Sequence, residues 1–233
     1  MGKLGKLKAI FFDLDHTLWD FERNSKSTFK DIFNNYTFPF DYLFFLEYYV
    51  PINHKYWDLY SKNKISKKEL RTIRFRETFD ILKFNYDDHF LNDISNKYIN
   101  LLPTKNKLFK GVKKMLKTLS SKYNLHIITN GFDEVQQKKI NLSGLSKYFG
   151  EIITSERAGK KKPNPKIFEY ALNLTHNSAE NCLMIGDNFF ADICGAKSVG
   201  MNTIHFNSNF EDYHDICPII YSYKNIDEII NKL

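Results

Sequence analysis

Short, mostly apolar runs at positions 9–12, 125–129, 182–185 and 202–206 are each too brief to be a helix of their own. A strand with no solvent face has to be covered on both sides. Past residue 108 these runs alternate with amphipathic segments at 111–122, 132–142, 164–174 and 192–199. Covered strands alternating with helices point to a parallel sheet joined by right-handed crossovers. Asn164-Pro165 marks one helix start, with asparagine as cap and proline at the first helical position. A short strand at 151–154, a weaker one at 219–221 and a last helix capped by Asn225 complete the expected core. The fold class is therefore α/β, a doubly wound, Rossmann-like parallel sheet.

Between the first strand and the rest of this core the texture changes. Residues 20–102 carry helical periodicity and no convincing strand. Phe21, Thr28, Phe29, Ile32, Phe33 and Tyr36 share one helical face. A second helical segment covers 41–60, with Pro51 expected to kink or break it. Ser66-Lys67-Lys68-Glu69 is a capping box ahead of a third, to about 83. A fourth covers 87–101, and Pro103 helps close the region. The domain expectation is a core of 1–19 and 103–233 with an inserted all-helical domain at 20–102.

The 233 residues are 42% hydrophobic and 26% charged, with 21 Phe and 14 Tyr, enough to fill a sizeable core. The formal net charge is +7. Its lysines are scattered (Lys3, Lys6, Lys8, Lys105, Lys107, Lys110, Lys113, Lys114, Lys117), and only Lys160, Lys161 and Lys162 form a tight run. With no zinc-finger spacing and no RNA-binding aromatic signature, a nucleic-acid partner is not expected. A positive field still favours a phosphorylated small molecule. Three cysteines (Cys182, Cys194, Cys217) at long spacing indicate a reducing compartment, with Cys182 a buried thiol. Asp13 interrupts any leader-like apolar stretch, and position 6, a lysine, does not suit myristoylation of Gly2. The greasiest stretch, 42–52, is too short to span a membrane. The expectation is a cytoplasmic protein without a membrane partner, monomeric or homodimeric.

Chemistry-bearing residues collect where the strands end. Asp13 and Asp15 follow the first strand and precede Thr17. Two carboxylates this close raise one another's pKa unless a cation or a shared proton intervenes. Thr129-Asn130-Gly131 ends a later strand, Lys162 precedes the helix capped by Asn164, and Gly186-Asp187 ends another strand with Asp192 five residues on. In open α/β sheets ligands bind at these carboxyl ends.

The order Asp-x-Asp-x-Thr, strand-ending Thr, Lys before a helix, and Gly-Asp with a second Asp resembles the haloacid dehalogenase-like (HAD) hydrolase superfamily, across residues 8 to about 206. That resemblance implies phosphoryl chemistry with Mg²⁺. Asp13 is the implied nucleophile, forming an aspartyl-phosphate. Asp13, the backbone carbonyl of Asp15 and Asp187 are the implied metal ligands. Asp15 is the implied acid and base, protonating the leaving oxygen and then accepting a proton from water. Thr129 and the amides of Asn130 and Gly131 would hold the phosphoryl oxygens, Lys162 would neutralise them, and Asp192 would fix Lys162 or a water. His16 is read as a loop-shaping residue rather than a catalytic one.

The presence of Asp15 points to phosphate esters rather than carbon–halogen bonds, and the helical insertion looks like a C1-type cap. The runs at 13–22 and 129–132 are similar to 5′-nucleotidases acting on pyrimidine and non-standard nucleoside monophosphates. Phosphoglycolate or sugar-phosphate phosphatases and β-phosphoglucomutase-like mutases share the same four motifs. A binding protein on the same scaffold has no need for the whole set. Trp19, Phe21 and Phe132 are candidates to stack a base, with packing as the competing use. Arg71 and Arg74 share a face, and Arg74 is a candidate substrate contact, with a solvated face as the competing use.

Overall fold

A computed structural model describes residues 7–233, so Gly2, Lys3 and Lys6 lie outside the described residues. The described residues divide into two compact units, one of 7–21 and 106–233, the other of 22–105.

The first unit is built on six strands: β1 (Ala9–Phe12), β2 (Asn124–Thr129), β3 (Ile152–Thr154), β4 (Cys182–Gly186), β5 (Asn202–Phe206) and β6 (Ile219–Ile220). All pairings are parallel, in the order β3-β2-β1-β4-β5-β6. Every residue of β1 and β4 is buried, as their uniform apolarity requires. Successive strands run outward from β1 to β3 and then return to the other side of β1 at β4. This reversal is the topological switch point, where the carboxyl ends of such sheets leave a crevice. Register places the ends together: Phe12 pairs with both Ile127 and Ile185. Asp13, Thr129 and Asp187 therefore leave the sheet at one edge.

The second unit is all helical. It carries α1 (Phe21–Phe33, entered from the first unit), α2 (Tyr42–Ser61), α3 (Lys67–Ile81) and α4 (Asp88–Leu101). Rings fill its interior, with Phe29 4.6 Å from Tyr49 and 4.8 Å from Tyr98 between centroids. Ser66 and Glu69 form the expected capping box at α3. Pro51 does not break α2, which continues through it. Burial of Phe45, Tyr49, Ile52 and Tyr56 on both sides of the proline outweighs the missing amide hydrogen bond.

The first unit adds α5 (Val112–Leu119), α6 (Asp133–Leu142), α7 (Ser155–Ala158) and α8 (Pro165–Leu174). Asn164 accepts from the Lys166 amide at 3.0 Å, as its cap position requires. Two details differ from expectation. The helix expected at 192–199 is instead a π-helical turn, Phe189–Cys194, followed by the α-turn Gly195–Lys197. The Asn188 side chain accepts from the Ala191 amide at 2.7 Å, and the Asp192 carboxylate turns back onto the Asn188 amide at 3.1 Å. The wide turn lets Asp192 face inward. Asn225 takes a left-handed φ of 60° and makes no side-chain cap bond, since capping needs an extended backbone there. Among the described residues no helix is long and apolar enough to cross a membrane.

Candidate active site

The loop leaving β1 is tight. The His16 amide donates to the Trp19 carbonyl at 3.0 Å, and the Leu18 and Trp19 amides return to the Leu14 carbonyl. His16 takes φ 59°, a left-handed conformation that histidine tolerates better than most side chains. The Ser208 hydroxyl donates to the His16 carbonyl at 2.6 Å. This geometry aims Asp13 and Asp15 apart, each toward its own set of partners.

Asp13 faces Lys162. The ammonium donates to Asp13 Oδ1 at 2.5 Å, to Asp192 Oδ1 at 2.5 Å and to the Ile128 carbonyl at 2.8 Å. Those three acceptors use all three of its hydrogens. Asn130 locks the lysine's backbone, since its side chain accepts from the Lys162 amide at 2.8 Å and donates to the Lys162 carbonyl at 3.0 Å. Lys162 is 2% exposed and Asp192 1%. Burial alone pushes the Lys162 pKa down, but the anions Asp13 and Asp192 outweigh it and the net direction is up. Both Asp192 oxygens are engaged, by Lys162 and by the Asn188 amide.

Asp187 is held on both oxygens as well. Thr17 donates to Oδ1 at 2.9 Å and the Asn209 amide to Oδ2 at 2.8 Å. Behind it, His205 Nε2 lies 2.7 Å from the Asp187 carbonyl. Asp13, Asp187 and Asp192 each offer an oxygen within 4.8 Å of the others. Burial first, and then mutual repulsion, raise Asp13 to about 7 and Asp187 well above its ordinary value, against the pull of Lys162. One ammonium among three buried carboxylates leaves a net negative site made of oxygen donors. That donor set suits a hard divalent cation such as Mg²⁺.

Thr129 ends β2 with its hydroxyl oxygen accepting from the Gly131 amide at 3.1 Å and from Gln136 Nε2 at 2.7 Å. Asp15 does not point at Lys162. Its carboxylate sits on the Lys139 ammonium, 2.6 Å from Oδ1 and 2.8 Å from Oδ2, and Gln136 Nε2 donates to Oδ2 at 3.1 Å.

The structure thus brings Asp13, Thr129, Asn130, Gly131, Lys162, Asp187 and Asp192 to one edge of the sheet. Four further candidates are enclosed by their own surroundings. Trp19 is fully buried, and Phe21 and Phe132 are buried too, so none presents an open ring face for stacking. Lys139 covers the Trp19 ring at 4.3 Å, which is the packing use of that residue. Arg74 is 1% exposed, inside the helical unit, bonded to Asn53 at 2.7 Å and set over the Tyr98 ring at 5.2 Å. The solvated face expected of Arg74 is not seen, because aromatic rings and an amide enclose it. Asn209, Gln136 and Lys139 escaped the sequence reading, and Thr17 entered it only as the last member of Asp-x-Asp-x-Thr, without a role of its own.

Residues 10–206 match the family model described as haloacid dehalogenase-like hydrolase. The chain belongs to that family. It is 31% identical over 230 residues to pyrimidine 5′-nucleotidase PynA of Streptococcus pneumoniae, covering 97% of this chain and 95% of that one. It is also 31% identical over 205 residues to a glyceraldehyde 3-phosphate phosphatase of Pyrococcus abyssi, covering 86% and 81%. Among solved structures, the magnesium-bound crystal structure of the HAD-hydrolase YfnB from Bacillus subtilis superposes with a TM-score of 0.87. That match is at 26% identity and covers 97% of this chain and all of that one. Both the family and the parallel α/β sheet expected from the motifs are borne out.

Proposed function

We propose that this protein is a Mg²⁺-dependent phosphatase of small phosphate monoesters, acting through an aspartyl-phosphate on Asp13, with nucleoside 5′-monophosphates as its substrate class. The observation that carries the proposal is the meeting, at one sheet edge, of an ionisable Asp13, a fully engaged Lys162 and the Thr129 hydroxyl. Phosphoryl transfer spreads negative charge over the equatorial oxygens, so positioned positive charge and donors are what the reaction needs. The likeness to PynA over nearly the whole chain supports the nucleotide class.

A Mg²⁺ ion would be held by Asp13, the Asp15 carbonyl and Asp187, where the crowded carboxylates call for positive charge. When bound, it supplies charge that offsets the carboxylates and the phosphoryl oxygens. Thr17 and Asn209 keep Asp187 oriented, and Asp192 fixes Lys162 beside Asp13. The Thr129 hydroxyl and the Asn130 amide receive the phosphoryl oxygens, and the fully engaged Lys162 ammonium offsets their charge without giving up its own bonds. An Asp13 oxygen attacks phosphorus and the bond to the ester oxygen breaks. The electron pair stays on that oxygen, which takes the proton of the Asp15 carboxyl. Water then attacks phosphorus and gives a proton back to Asp15. The phosphorus–Asp13 bond breaks, phosphate leaves, and both carboxyl groups return to their starting state.

The helical unit 22–105 is our candidate for the cap that chooses among small esters, and the cytoplasm is the compartment we assign. The P. abyssi relative favours a second reading, a triose- or sugar-phosphate phosphatase with the same chemistry.

Phosphate release from dUMP, UMP, dTMP, purine monophosphates, phosphoglycolate and sugar phosphates tests the proposal. The expected result is Mg²⁺-dependent turnover, greatest on pyrimidine monophosphates, and none in Asp13→Asn. Preference for phosphoglycolate or sugar phosphates would replace the substrate class. Absence of any release would overturn the phosphatase.

A further inference from the structure

Gln136 and Lys139 lie three residues apart on α6 and both turn inward. Lys139 is only 2% exposed, although Gln-Gln-Lys-Lys at 136–139 reads as a solvated helix face. A buried ammonium is costly unless strong partners meet it. Here Asp15 meets it with both oxygens, at 2.6 and 2.8 Å. Aromatic faces meet it too, with Trp19 at 4.3 Å and Phe21 at 5.3 Å from the ammonium. Lys162 already supplies the positive charge beside Asp13, so a second buried lysine needs another account.

Gln136 Nε2 donates to Asp15 Oδ2 at 3.1 Å and to Thr129 Oγ1 at 2.7 Å. The opposite amide orientation would set a carbonyl against the Asp15 carboxylate. Thr129 Oγ1 also accepts from the Gly131 amide. Two donors fill both lone pairs of a hydroxyl, so its own hydrogen can only be donated outward.

We propose that Lys139 and Gln136 are positioning residues for hydrolysis at this site. Lys139 fixes the orientation of the Asp15 carboxyl toward the ester oxygen, and Gln136 ties that carboxyl to Thr129 and turns its hydroxyl toward the phosphoryl group. The inference rests on the phosphatase reading above. A carboxyl held in one orientation meets the ester oxygen without first being ordered, which is a recognised source of rate.

The test compares two esters, dUMP, whose alkoxide must be protonated to leave, and p-nitrophenyl phosphate, whose phenolate leaves without a proton. In Lys139→Met, kcat on dUMP falls about 100-fold, the scale of a lost acid or base, while the p-nitrophenol burst keeps its wild-type rate. Lys139→Arg recovers most of the loss. In an Asp15→Asn background, adding Lys139→Met lowers p-nitrophenyl phosphate turnover no further, because both changes act on one group. Gln136→Leu slows the burst as well, through Thr129, but lowers kcat on dUMP further than the burst, and this decides the matter if Lys139→Met does not fold. Equal losses on dUMP and on the burst, a multiplicative loss in the double variant, or wild-type turnover in both single variants would each overturn the inference while leaving the phosphatase standing. No phosphate release by the wild type from either ester would overturn the phosphatase, and the inference with it.

Discussion

Asp187 is one of two carboxylates whose pKa burial and neighbouring anions raise most, and Thr17 holds one of its oxygens at 2.9 Å from a site with no solvent exposure. Thr17→Val keeps the shape and removes the donor. Partners that orient a metal ligand typically matter 10- to 100-fold in metal affinity, so the Mg²⁺ concentration for half-maximal activity should rise by about tenfold or more. A Mg²⁺ titration of phosphate release, wild type against Thr17→Val, measures it, and an unchanged midpoint would remove Thr17 from the metal site. The residues that the motif order exposed in the sequence are those whose chemistry is written in their type: Asp13, Asp15, Lys162 and Asp187. Lys139 was illegible for a physical reason. Its partner Asp15 is 124 positions away, and a lysine in a polar run looks solvated until the fold closes around it. The burial of Arg74 was illegible too, since nothing in its helical spacing reveals the cage of Tyr49, Phe75 and Tyr98 rings around it.

At the scale of elements, one glycine decides how close the turn carrying Asp192 can come to the site. A Cβ at Gly186, the last residue of β4, would stand 2.3 Å from Asp192 Cγ. Gly186→Ala should therefore unseat Asp192 from Lys162, lowering both thermal stability and turnover; a variant matching wild type in both would show the turn can give way. The strands also carry a pH dependence. His126, in β2, stacks on Phe11 at 5.0 Å and accepts from the Glu151 amide at 3.1 Å. Burial lowers its pKa to about 4. A base whose pKa is depressed on folding adds stability above its ordinary value of about 6.5, and that stability is lost as pH falls toward 4. His126→Asn should show a smaller drop in Tm between pH 7 and pH 4.5 than the wild type, and an equal drop would remove His126 as the cause. Element existence was legible because apolar runs and capping signals are local. The continuation of α2 through Pro51 and the π-turn at Phe189–Cys194 were not, because each is imposed by packing against distant residues.

For the whole molecule, the sheet order is what turns scattered motifs into one site. The reversal at β1 and β4 sets Asp13, Thr129 and Asp187 on a single edge, although 174 positions separate the first from the last. That edge was legible, since strand ends carrying polar groups in an alternating α/β chain have one place to meet. The central claim is that Asp13 is the nucleophile there. Rapid acid quench of the Mg²⁺-loaded Asp15→Asn variant with phosphorus-labelled p-nitrophenyl phosphate tests it most directly, because breakdown of the intermediate is slowed. The account predicts label on the peptide containing Asp13, released by hydroxylamine as an acyl phosphate would be. Turnover without label at Asp13, or label on another residue, would contradict it.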